Sequence, residues 1–529
     1  MRLHLPRGGR ALGGIVLCAP LLVEHYHGHR ALVQLGNLIA DAGFVALRFD
    51  YWGVGDSEGS TEQIGDVSAW GADVSALADL LRSWGVEWIS GVGLRGSANI
   101  IAAHATPALD ACVLWDPVRD GRQHLREMTL VHRTVSPEDD SPGTGSVCGY
   151  AFSSSFVRSL RALPPIGSPA IPTLILTRDG LAPGADALGE GVSVGVAAGQ
   201  EALLERNLDR SAVPIPTLQS IVSWISERQG GGFSCEVLPA IESRRRRGNE
   251  CEAVEWLPVP GSTPLFAVSC WSSEDESSAG GDVPTVVALN SGAQSHIGPH
   301  RFHVDLARTL AKDGVRTWRV DLPGRGESLV VEDPLMTEAP SLAVEACALD
   351  ALVEGARSRA IVVVGLCSGS LDALDATRRD EVVAAACINP FLGGQREASS
   401  VREAHWQSGT RCEVGARPWL RRAMRSRWGL AATWRIPGRA WVVLDWVRVQ
   451  GDLSRAFALR AGQGKRLLLL IARSELAHRR MWGVTHRARG RWEVVEFDGD
   501  HELAASGGRQ VAIEVCRDFV MRVTKQFRV

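Results

Sequence analysis

The sequence lacks the features that mark several classes of protein. Its 57 basic and 60 acidic side chains nearly cancel, for a formal net charge of -3 at pH 7, so the chain as a whole has no charge that would attract nucleic acid or a membrane surface. No apolar run is long enough to span a bilayer, and the first residues show no cleavable signal pattern. A cytoplasmic protein is therefore expected, with no membrane span and no nucleic-acid partner.

The eleven cysteines show no pairing pattern. They are odd in number and scattered singly, and no C-x-x-C pair occurs, so neither a disulfide framework nor a zinc site is predicted. Three histidines alternate at His25, His27 and His29. Alternate residues in a loop rarely converge on one ion, and no carboxylate cluster supports them. The sequence therefore predicts no metal and no cofactor.

One cysteine has a different setting. Residues 361–369 read IVVVGLCSG, an apolar strand that runs into Gly365-x-Cys367-x-Gly369. Small flanking residues are needed where a nucleophile lies on a sharp turn between a strand and a helix. At a helix N-terminus, partial positive charge lowers a thiol pKa and sharpens it as a nucleophile. Cys367 is therefore a candidate nucleophile, and the alternative is an inert buried cysteine.

The two halves of the chain repeat the same order of elements at a period of roughly 270 residues. Each half has an apolar strand, a loop with histidines and an amphipathic helix that ends at a glycine, Gly43 or Gly314. A second strand then ends in the pattern D-x-x-G-x-G-x-S, which begins at Asp50 and at Asp321. Strands that alternate with helices at this spacing predict parallel βαβ units. The predicted fold class is α/β, with two tandem domains, each a mostly parallel, doubly wound sheet.

Domain boundaries are predicted where the apolar periodicity stops. Between the halves, the glycines at 230–232 and the run Arg244–Arg247 lack periodicity, and the arginines are interpreted as a solvated linker rather than a phosphate-binding patch. A further insertion breaks the βαβ rhythm of the second half and is predicted to be a helical cap. The predicted segments are a first domain at 1–230, a linker at 231–250 and a second domain at 251–529 with its cap at about 391–463.

The strand, the D-x-x-G-x-G-x-S turn and the glycine-flanked elbow together resemble the α/β-hydrolase superfamily over most of both halves. More narrowly, the elbows GLR at 93–95 and GLCSG at 365–369 resemble those of bacterial serine-aminopeptidase-like α/β hydrolases that accompany exopolysaccharide and exosortase gene clusters. Such relatives are usually separate chains, whereas two would be fused here. The resemblance implies the chain order nucleophile, acid, histidine within an active domain.

The second half has this whole order. Cys367 is followed by Glu475 and then by His501, each directly after an apolar strand. The resemblance assigns His501 the role of general base and Glu475, approximately, the role of the acid; the alternative for His501 is a surface histidine that caps a helix. Three aspartates remain rivals of Glu475 for the role of the acid: Asp445, Asp452 and Asp500.

An oxyanion hole is predicted from backbone N–H groups. One belongs to Ser368, the residue after the nucleophile. The other belongs to the loop that follows strand 285–289, at Gly292 or Ala293. Gly292 lets the backbone approach the substrate oxygen closely.

The first half lacks both a nucleophile at the elbow and a later histidine. Arg95 stands at the nucleophile position, Ser97 replaces the second glycine, and no histidine occurs between residues 132 and 296. The first domain is therefore predicted to be a degenerate duplicate. An arginine at a helix N-terminus opposes the helix dipole unless an anion is near, so Arg95 is a candidate for binding a carboxylate or phosphate. The alternative is a structural ion pair with an acid such as Asp50 or Asp116.

The cap and the cysteine together indicate a substrate class. Between residues 401 and 448 there are ten arginines, three acids and six interleaved tryptophans. This composition fits an acidic carrier protein, a phosphopantetheine arm or an acidic glycan, and the alternative is a solvated basic face over packed tryptophans. A cysteine nucleophile suits thioester substrates. The predicted function is transfer or hydrolysis of an acyl group from a thioester on a carrier protein or CoA. The other interpretation is a non-catalytic binding or assembly factor.

Overall fold

Two large β-sheets organise the described part of the chain, one in each half. The structure is a computed structural model. It describes residues 1–527 except 9, 136–145, 148, 168, 182–188, 190, 205–211, 229–242, 274–282, 293, 329–341, 359, 391–452, 454–455 and 474–491.

The first half alternates strands with helices, as its sequence predicts. Its strands are β1 (Arg2–His4), β2 (Gly14–Cys18), β3 (Val45–Phe49), β4 (Ile89–Leu94), β5 (Ala111–Trp115), β6 (Ser146–Val147), β7 (Tyr150–Ala151), β8 (Thr173–Thr177) and β9 (Val192–Val196). Its helices are α1 (Glu24–Asp41), α2 (Ser68–Ser83), α3 (Gly96–Ile100), α4 (Gly121–Val135), α5 (Ser154–Ala162), α6 (Gln200–Leu204) and α7 (Ile215–Arg228).

The second half adds two strands before a similar series. Its strands are β10 (Arg244–Arg247), β11 (Glu250–Leu257), β12 (Leu265–Ser272), β13 (Thr285–Leu289), β14 (Arg316–Val320), β15 (Ile361–Leu366), β16 (Val382–Ile388), β17 (Arg466–Ala472) and β18 (Glu493–Phe497). Its helices are α8 (Phe302–Lys312), α9 (Leu342–Ala356), α10 (Gly369–Ala376) and α11 (Ser506–Thr524).

The two sheets have the same topology. The first has the order β1-β3-β2-β4-β5-β8-β9, and the second has β10-β11-β12-β14-β13-β15-β16-β17-β18. From β12 onward, the second sheet therefore repeats the first strand by strand. Within these seven shared strands, one antiparallel strand precedes a run of parallel strands. Two further antiparallel strands, β10 and β11, extend the edge of the second sheet. The predicted pair of mostly parallel α/β domains is confirmed.

Helices cover both faces of each sheet. In the first domain, α1 and α7 bury Leu35 and Ile221 on one face, while α2 and α5 bury Trp70 and Phe156 on the other. In the second domain, α8 and α11 pack on one face and α9 and α10 on the other. Central parallel strands such as β2, β5 and β15 are apolar and buried along their whole length, because both of their faces are covered. Their carboxyl ends meet at one edge of the sheet, which is where turns can present polar side chains.

The linker prediction is wrong for the arginine run. Arg244–Arg247 form β10, which pairs antiparallel with β11. The guanidinium of Arg245 donates to Glu58 and to Glu252, over 2.9 and 2.8 Å. Carboxylates on neighbouring elements therefore let a fully basic segment serve as an edge strand. The rest of the predicted linker, up to residue 242, lies outside the described residues.

Most of the predicted cap, 391–452, lies outside the described residues. At its end, residues 456–462 are helical, and Phe457 is buried in the core of the second domain. Among the described residues, no helix combines the length and the apolar character needed to cross a membrane.

The D-x-x-G-x-G-x-S turn makes the same hydrogen bonds in both domains. The Ser57 hydroxyl donates to the Asp50 carbonyl over 2.5 Å, and the Ser328 hydroxyl donates to the Asp321 carbonyl over 2.6 Å. Gly326 has a φ of 52°, and a Cβ there would collide with the Asp321 carboxylate. Glycine is therefore required by both the backbone conformation and the close approach.

The two turns face each other across the domain interface. Arg48 lies 2.6 Å from Glu327, and Arg319 lies 2.5 Å from Asp56. The two arginines occupy equivalent positions of the repeat, two residues before the aspartate, and the two acids also correspond, one residue before the serine. Each domain thus offers the other the same arginine and the same acid position. An approximate twofold axis relates the two ion pairs, as in an isologous dimer.

His296 of the second domain is held between two carboxylates at this interface. Its Nε2 lies 2.8 Å from Asp56 and its Nδ1 lies 2.9 Å from Asp321. Although burial opposes protonation, these carboxylates raise the pKa of His296 to about 9. Burial likewise opposes ionisation of Asp56, but Arg319 and His296 hold the pKa of that carboxyl well below its usual range. The imidazolium therefore donates to one acid from each domain.

We expect the protein to lose stability in alkali through His296. Its stabilising charge is fully present below the unfolded pKa of about 6.5 and is lost as the pH rises through about 9. The lowered pKa of Asp56 affects stability at acidic pH instead, because the stabilisation from its ionised carboxylate is lost only as the pH falls. Between about pH 7 and about pH 10, the wild type should lose roughly 3 kcal/mol more than His296→Gln. Urea unfolding at a series of pH values measures the difference, and equal losses would contradict the assignment.

Candidate active site

The structure holds Cys367 on a tight turn between β15 and α10. The φ of Cys367 is 56°, a left-handed conformation that costs a non-glycine residue roughly 1–3 kcal/mol. The Cys367 amide donates to the carbonyl of Ile388, at the end of β16, over 2.9 Å. This bond fixes the turn against the neighbouring strand. The strained turn that the sequence predicts at Cys367 is thus present.

Packing explains both flanking glycines. A Cβ at Gly365 would collide with the backbone carbonyl of Gly369. A Cβ at Gly369 would collide with the backbone carbonyl of Asn290, directly after β13. Because both obstacles are backbone atoms of the sheet and its turns, neither can move aside. The elbow glycines predicted from the sequence are therefore set by sterics.

The loop that carries His501 is tied to the same edge of the sheet. Asn389, directly after β16, donates its side-chain amide to the carbonyls of Asp500 and His501 over 3.1 and 3.2 Å. Its side-chain oxygen accepts the amide of Ala472 over 2.8 Å. Asn389 follows the residue whose carbonyl binds the Cys367 amide. The end of β16 therefore connects the Cys367 turn to the loop that carries His501.

Two of the predicted oxyanion-hole residues meet. The Gly292 amide donates to the Ser368 hydroxyl over 2.8 Å. Ser368 thus contacts the loop through its side chain, and a substrate oxygen must replace that hydroxyl in order to accept from Gly292. The third predicted residue, Ala293, lies outside the described residues.

Asp500, one of the candidate acids, binds backbone amides. Its carboxylate accepts the amides of Glu502, Ala504 and Ala505 over 2.6 to 3.0 Å. These amides lead into α11, so the buried carboxylate stabilises the start of that helix. Its hydrogen bonds favour a structural role over that of the acid. The other three candidate acids lie outside the described residues: Glu475, Asp445 and Asp452.

Several other thiols are poor nucleophiles. Burial is the main cause that raises their pKa values, and a thiol with a raised pKa stays protonated at neutral pH. The pKa is raised to about 11 for Cys112 and to about 12 for Cys18, Cys270, Cys387 and Cys516. All eight described cysteines are free, and Cys347 is exposed.

The first domain has the same elbow turn, but its central residue, Arg95, forms ion pairs with neighbouring carboxylates. Arg95 has a φ of 57°, matching Cys367. Its guanidinium donates to Glu24 over 2.9 Å and to Glu127 over 3.2 Å, and it lies 3.5 Å from Asp116. These carboxylates occupy the donors that an external anion would need. The geometry therefore supports the structural alternative for Arg95 rather than anion binding.

The second-glycine position also differs between the domains. Ser97 donates its hydroxyl to the Ala19 carbonyl over 2.5 Å, whereas in the second domain the equivalent carbonyl, that of Asn290, lies against Gly369. The first elbow is thus closed by a side chain where the second is kept open by a glycine. Both differences agree with a degenerate first domain.

We expect Arg95→Met to destabilise the first domain by about 3–5 kcal/mol, because Glu24 and Asp116 would be left buried beside each other without this cation. Burial already raises the pKa of Glu24 even with Arg95 in place. The control is Arg82→Met, whose ion pair with Asp110 joins side chains that are 38% and 41% exposed, and its loss should cost about 1 kcal/mol or less. Urea unfolding measures both. A loss no larger than the control's would argue against the structural role.

Some residues that shape the site were not singled out from the sequence. Asn389 is one of them; it follows β16 at the place where Asp116, already a candidate partner of Arg95, follows β5, and the two residues have positive φ, 41° and 45°. Each of these residues is followed by a proline, and these Asn-Pro and Asp-Pro pairs were the sequence signal for a turn at the end of the strand. No sequence signal indicated that His296 would contact Asp56, because Asp56 lies in the other domain.

Comparison with known proteins gives a match for the second half. The model of the Alpha/beta hydrolase family matches residues 286–513, and no curated protein matches the sequence. The chain is similar to a dienelactone hydrolase from Anabaena variabilis, with 13% identity, a TM-score of 0.33, and coverage of 52% of this chain and 99% of that one. It is similar to Est1E from Butyrivibrio proteoclasticus, solved with ferulic acid, with 16% identity, a TM-score of 0.34, and coverage of 51% and 99%. A proline iminopeptidase from Mycobacterium smegmatis has 12% identity, a TM-score of 0.31, and coverage of 52% and 100%.

Proposed function

We propose that the protein is an acyl-handling enzyme whose second domain acts through Cys367, since residues 286–513 match the model of the Alpha/beta hydrolase family. The family match supports a hydrolase-type enzyme in general; the cysteine nucleophile and the thioester substrate are our proposal. One observation supports it above the others. Cys367 has a φ of 56° on a glycine-flanked turn between β15 and α10, the strand–turn–helix geometry that exposes a nucleophile. The same turn in the first domain has Arg95, which offers no nucleophilic group.

The proposed reaction begins with a thioester. His501 takes the proton of Cys367, and the thiolate adds to the thioester carbonyl carbon. The tetrahedral intermediate places negative charge on the former carbonyl oxygen, which would accept from the Ser368 amide and from Gly292 once the Ser368 hydroxyl has turned away. Collapse breaks the bond to the departing sulfur, which takes the proton from His501 and leaves an acyl group on Cys367.

The second half of the reaction releases the acyl group. Water, an alcohol or an amine attacks the new thioester while His501 accepts its proton, and collapse returns the thiol of Cys367. Water as acceptor makes the enzyme a thioesterase, and an alcohol or amine makes it an acyltransferase. A carboxylate that orients His501 would complete the set, and Glu475 remains our candidate for it. The donor we propose is an acyl thioester of CoA or of a carrier protein.

A second candidate function is a non-catalytic binding or assembly factor. One contact favours it: the Gly292 amide already donates to the Ser368 hydroxyl, so an oxyanion donor is occupied within the protein itself. In that case the first domain and the second would both be binding modules, and Cys367 would be a remnant.

The two functions are separated by a turnover assay. The purified chain is incubated with short-chain and long-chain acyl-CoA thioesters, and release of free CoA is followed with a thiol reagent, alongside intact-mass measurement. We expect release by the wild type and none above background by His501→Ala. Release that is equal in both proteins, or absent over the whole panel together with the acyl adduct, would favour the binding factor.

A further inference from the structure

A continuous hydrogen-bond chain runs from the first domain to the oxyanion loop of the second. The oxyanion loop is the segment between Asn290 and His296. Asp56, on the first domain, lies 2.8 Å from His296 Nε2. On its other side, His296 contacts Asp321 through both its ring Nδ1, at 2.9 Å, and its backbone amide, at 2.5 Å. The far end of the loop is thus held by an acid from each domain.

The near end of the loop is held by the same aspartate. The Asn290 side chain donates to Asp321 over 2.8 Å and to the Gln294 carbonyl over 2.9 Å, and it accepts the Leu322 amide over 2.6 Å. Asn290, Asp321 and His296 are nearly or fully buried, with 0 to 1% exposure. The loop is therefore clamped at both ends, and Gly292 lies between the clamps.

The contact between His296 and Asp56 has no symmetric counterpart between His25 and Glu327. In the first domain, His25 occupies the position of His296 and binds its own turn aspartate, Asp50, over 2.9 Å. Glu327, the counterpart of Asp56, instead lies 3.2 Å from His29 and 2.6 Å from Arg48. The approximate twofold symmetry is broken at this point. His296 of the second domain is therefore bound by an acid of the other domain, Asp56. Its counterpart His25 is bound by an acid of its own domain, Asp50.

We propose that Asp56 is a positioning residue for the active site of the second domain, and that the degenerate first domain serves the reaction by holding the oxyanion loop. This inference rests on the proposed function for its catalytic consequence. The physical reason is geometric: an oxyanion donor is effective only when it is held in place before the charge develops. With Asp56 replaced by asparagine, His296 keeps one carboxylate, and its contact with the first domain becomes a weaker hydrogen bond to a neutral amide oxygen.

The structure offers a matched control in Glu327. Asp56→Asn and Glu327→Gln each remove one charge from the same interface, and each leaves a buried arginine with a weaker partner. Both should lower the stability of the protein by similar amounts. Asp56→Glu tests rescue, because glutamate is the residue found at the equivalent position of the second repeat, and it keeps the charge that pairs with Arg319.

Hydrogen exchange and acylation rate are then compared in these variants. Peptides covering residues 290–297 should exchange roughly 10-fold faster in Asp56→Asn, stay near wild type in Glu327→Gln and lie between them in Asp56→Glu. The acylation rate constant of Cys367 by an acyl-CoA should fall about 10–100-fold in Asp56→Asn with little change in KM.

The outcomes separate the two proposals. If Asp56→Asn and Glu327→Gln show the same exchange at 290–297, the positioning role is wrong, and Asp56 is an ordinary interface acid. If the wild type never acylates, the proposed function fails, while the exchange comparison still decides whether Asp56 anchors the loop. Should Asp56→Asn not fold, the comparison of Asp56→Glu with Glu327→Gln gives the same decision.

Discussion

Cys367→Ala should lower thioester turnover by about 10⁴-fold or more while leaving the fold intact. Alanine keeps the Cβ and tolerates the same turn as cysteine. Cys367 is 9% exposed, so the substitution removes the packing of one buried sulfur atom, a small cost beside the loss of turnover. The nucleophile, in contrast, disappears altogether. Steady-state release of CoA from an acyl-CoA measures the effect, and circular dichroism checks the fold.

The matched control for this loss is Cys387→Ala. Cys387 lies on β16, next to the nucleophile strand, and it is buried. Burial raises its pKa to about 12, so its thiol is not available as a nucleophile. Turnover should stay within a few-fold of wild type, with some loss of stability from the small cavity. If both substitutions reduced turnover equally, packing rather than nucleophilic attack would explain the result.

Arg319→Met should destabilise the protein by about 3–5 kcal/mol. The Arg319 side chain is fully buried and lies 2.5 Å from Asp56 and 3.4 Å from Glu252. Burial alone would disfavour its charge, yet these carboxylates raise its pKa. Removal of the cation leaves two acids near each other inside the interface, an arrangement that costs more than the ion pair itself contributes. Urea unfolding, followed by tryptophan fluorescence, measures the loss.

Arg522→Met provides the comparison for Arg319. Arg522 also forms a short ion pair, 2.6 Å from Glu493, but both side chains are about half exposed, at 55% and 49%. Solvent screens such a pair, so its loss should cost at most about 1 kcal/mol. In addition, Arg319→Met and Asp56→Asn should be non-additive by roughly 0.5–3 kcal/mol, because they share one contact. Equal losses for Arg319 and Arg522 would contradict the role of the buried interface.

The fold was predictable because its signals are local. Alternating apolar strands and amphipathic helices determine a parallel sheet, and a glycine such as Gly365 is required by backbone atoms only a few residues away. The repeat of D-x-x-G-x-G-x-S predicts two copies of one turn, and the structure has both. Information of this kind lies within short stretches of sequence.

The contacts between distant segments were not predictable in the same way. Arg95 has its partners on α1 and α4, and nothing in the sequence near the elbow indicates that acids from these helices converge there. The basic run Arg244–Arg247 has no apolar periodicity, yet Glu58 and Glu252 make it a strand. Charged residues are placed by their partners, and those partners are known only once the chain is folded.

The two copies of one fold differ in the residue at the elbow. Both domains have the elbow, the turn and the strand order, but in the first an arginine and its acids fill the place of the nucleophile. In the second, a strained thiol stands beside an open glycine. Under the function proposed above, the second copy would carry out the chemistry and the first would support it through the shared interface.

The most direct test is to locate the acyl group after brief exposure to an acyl-CoA. The reaction is quenched in acid and the protein is mapped by peptide mass spectrometry, so that each of the eleven cysteines is scored separately. We expect an acyl adduct on the peptide that contains Cys367, formed about 10²–10⁴-fold more slowly in His501→Ala. An adduct on the exposed Cys347 at an equal or greater rate, or one on Cys367 that does not depend on His501, would contradict this expectation.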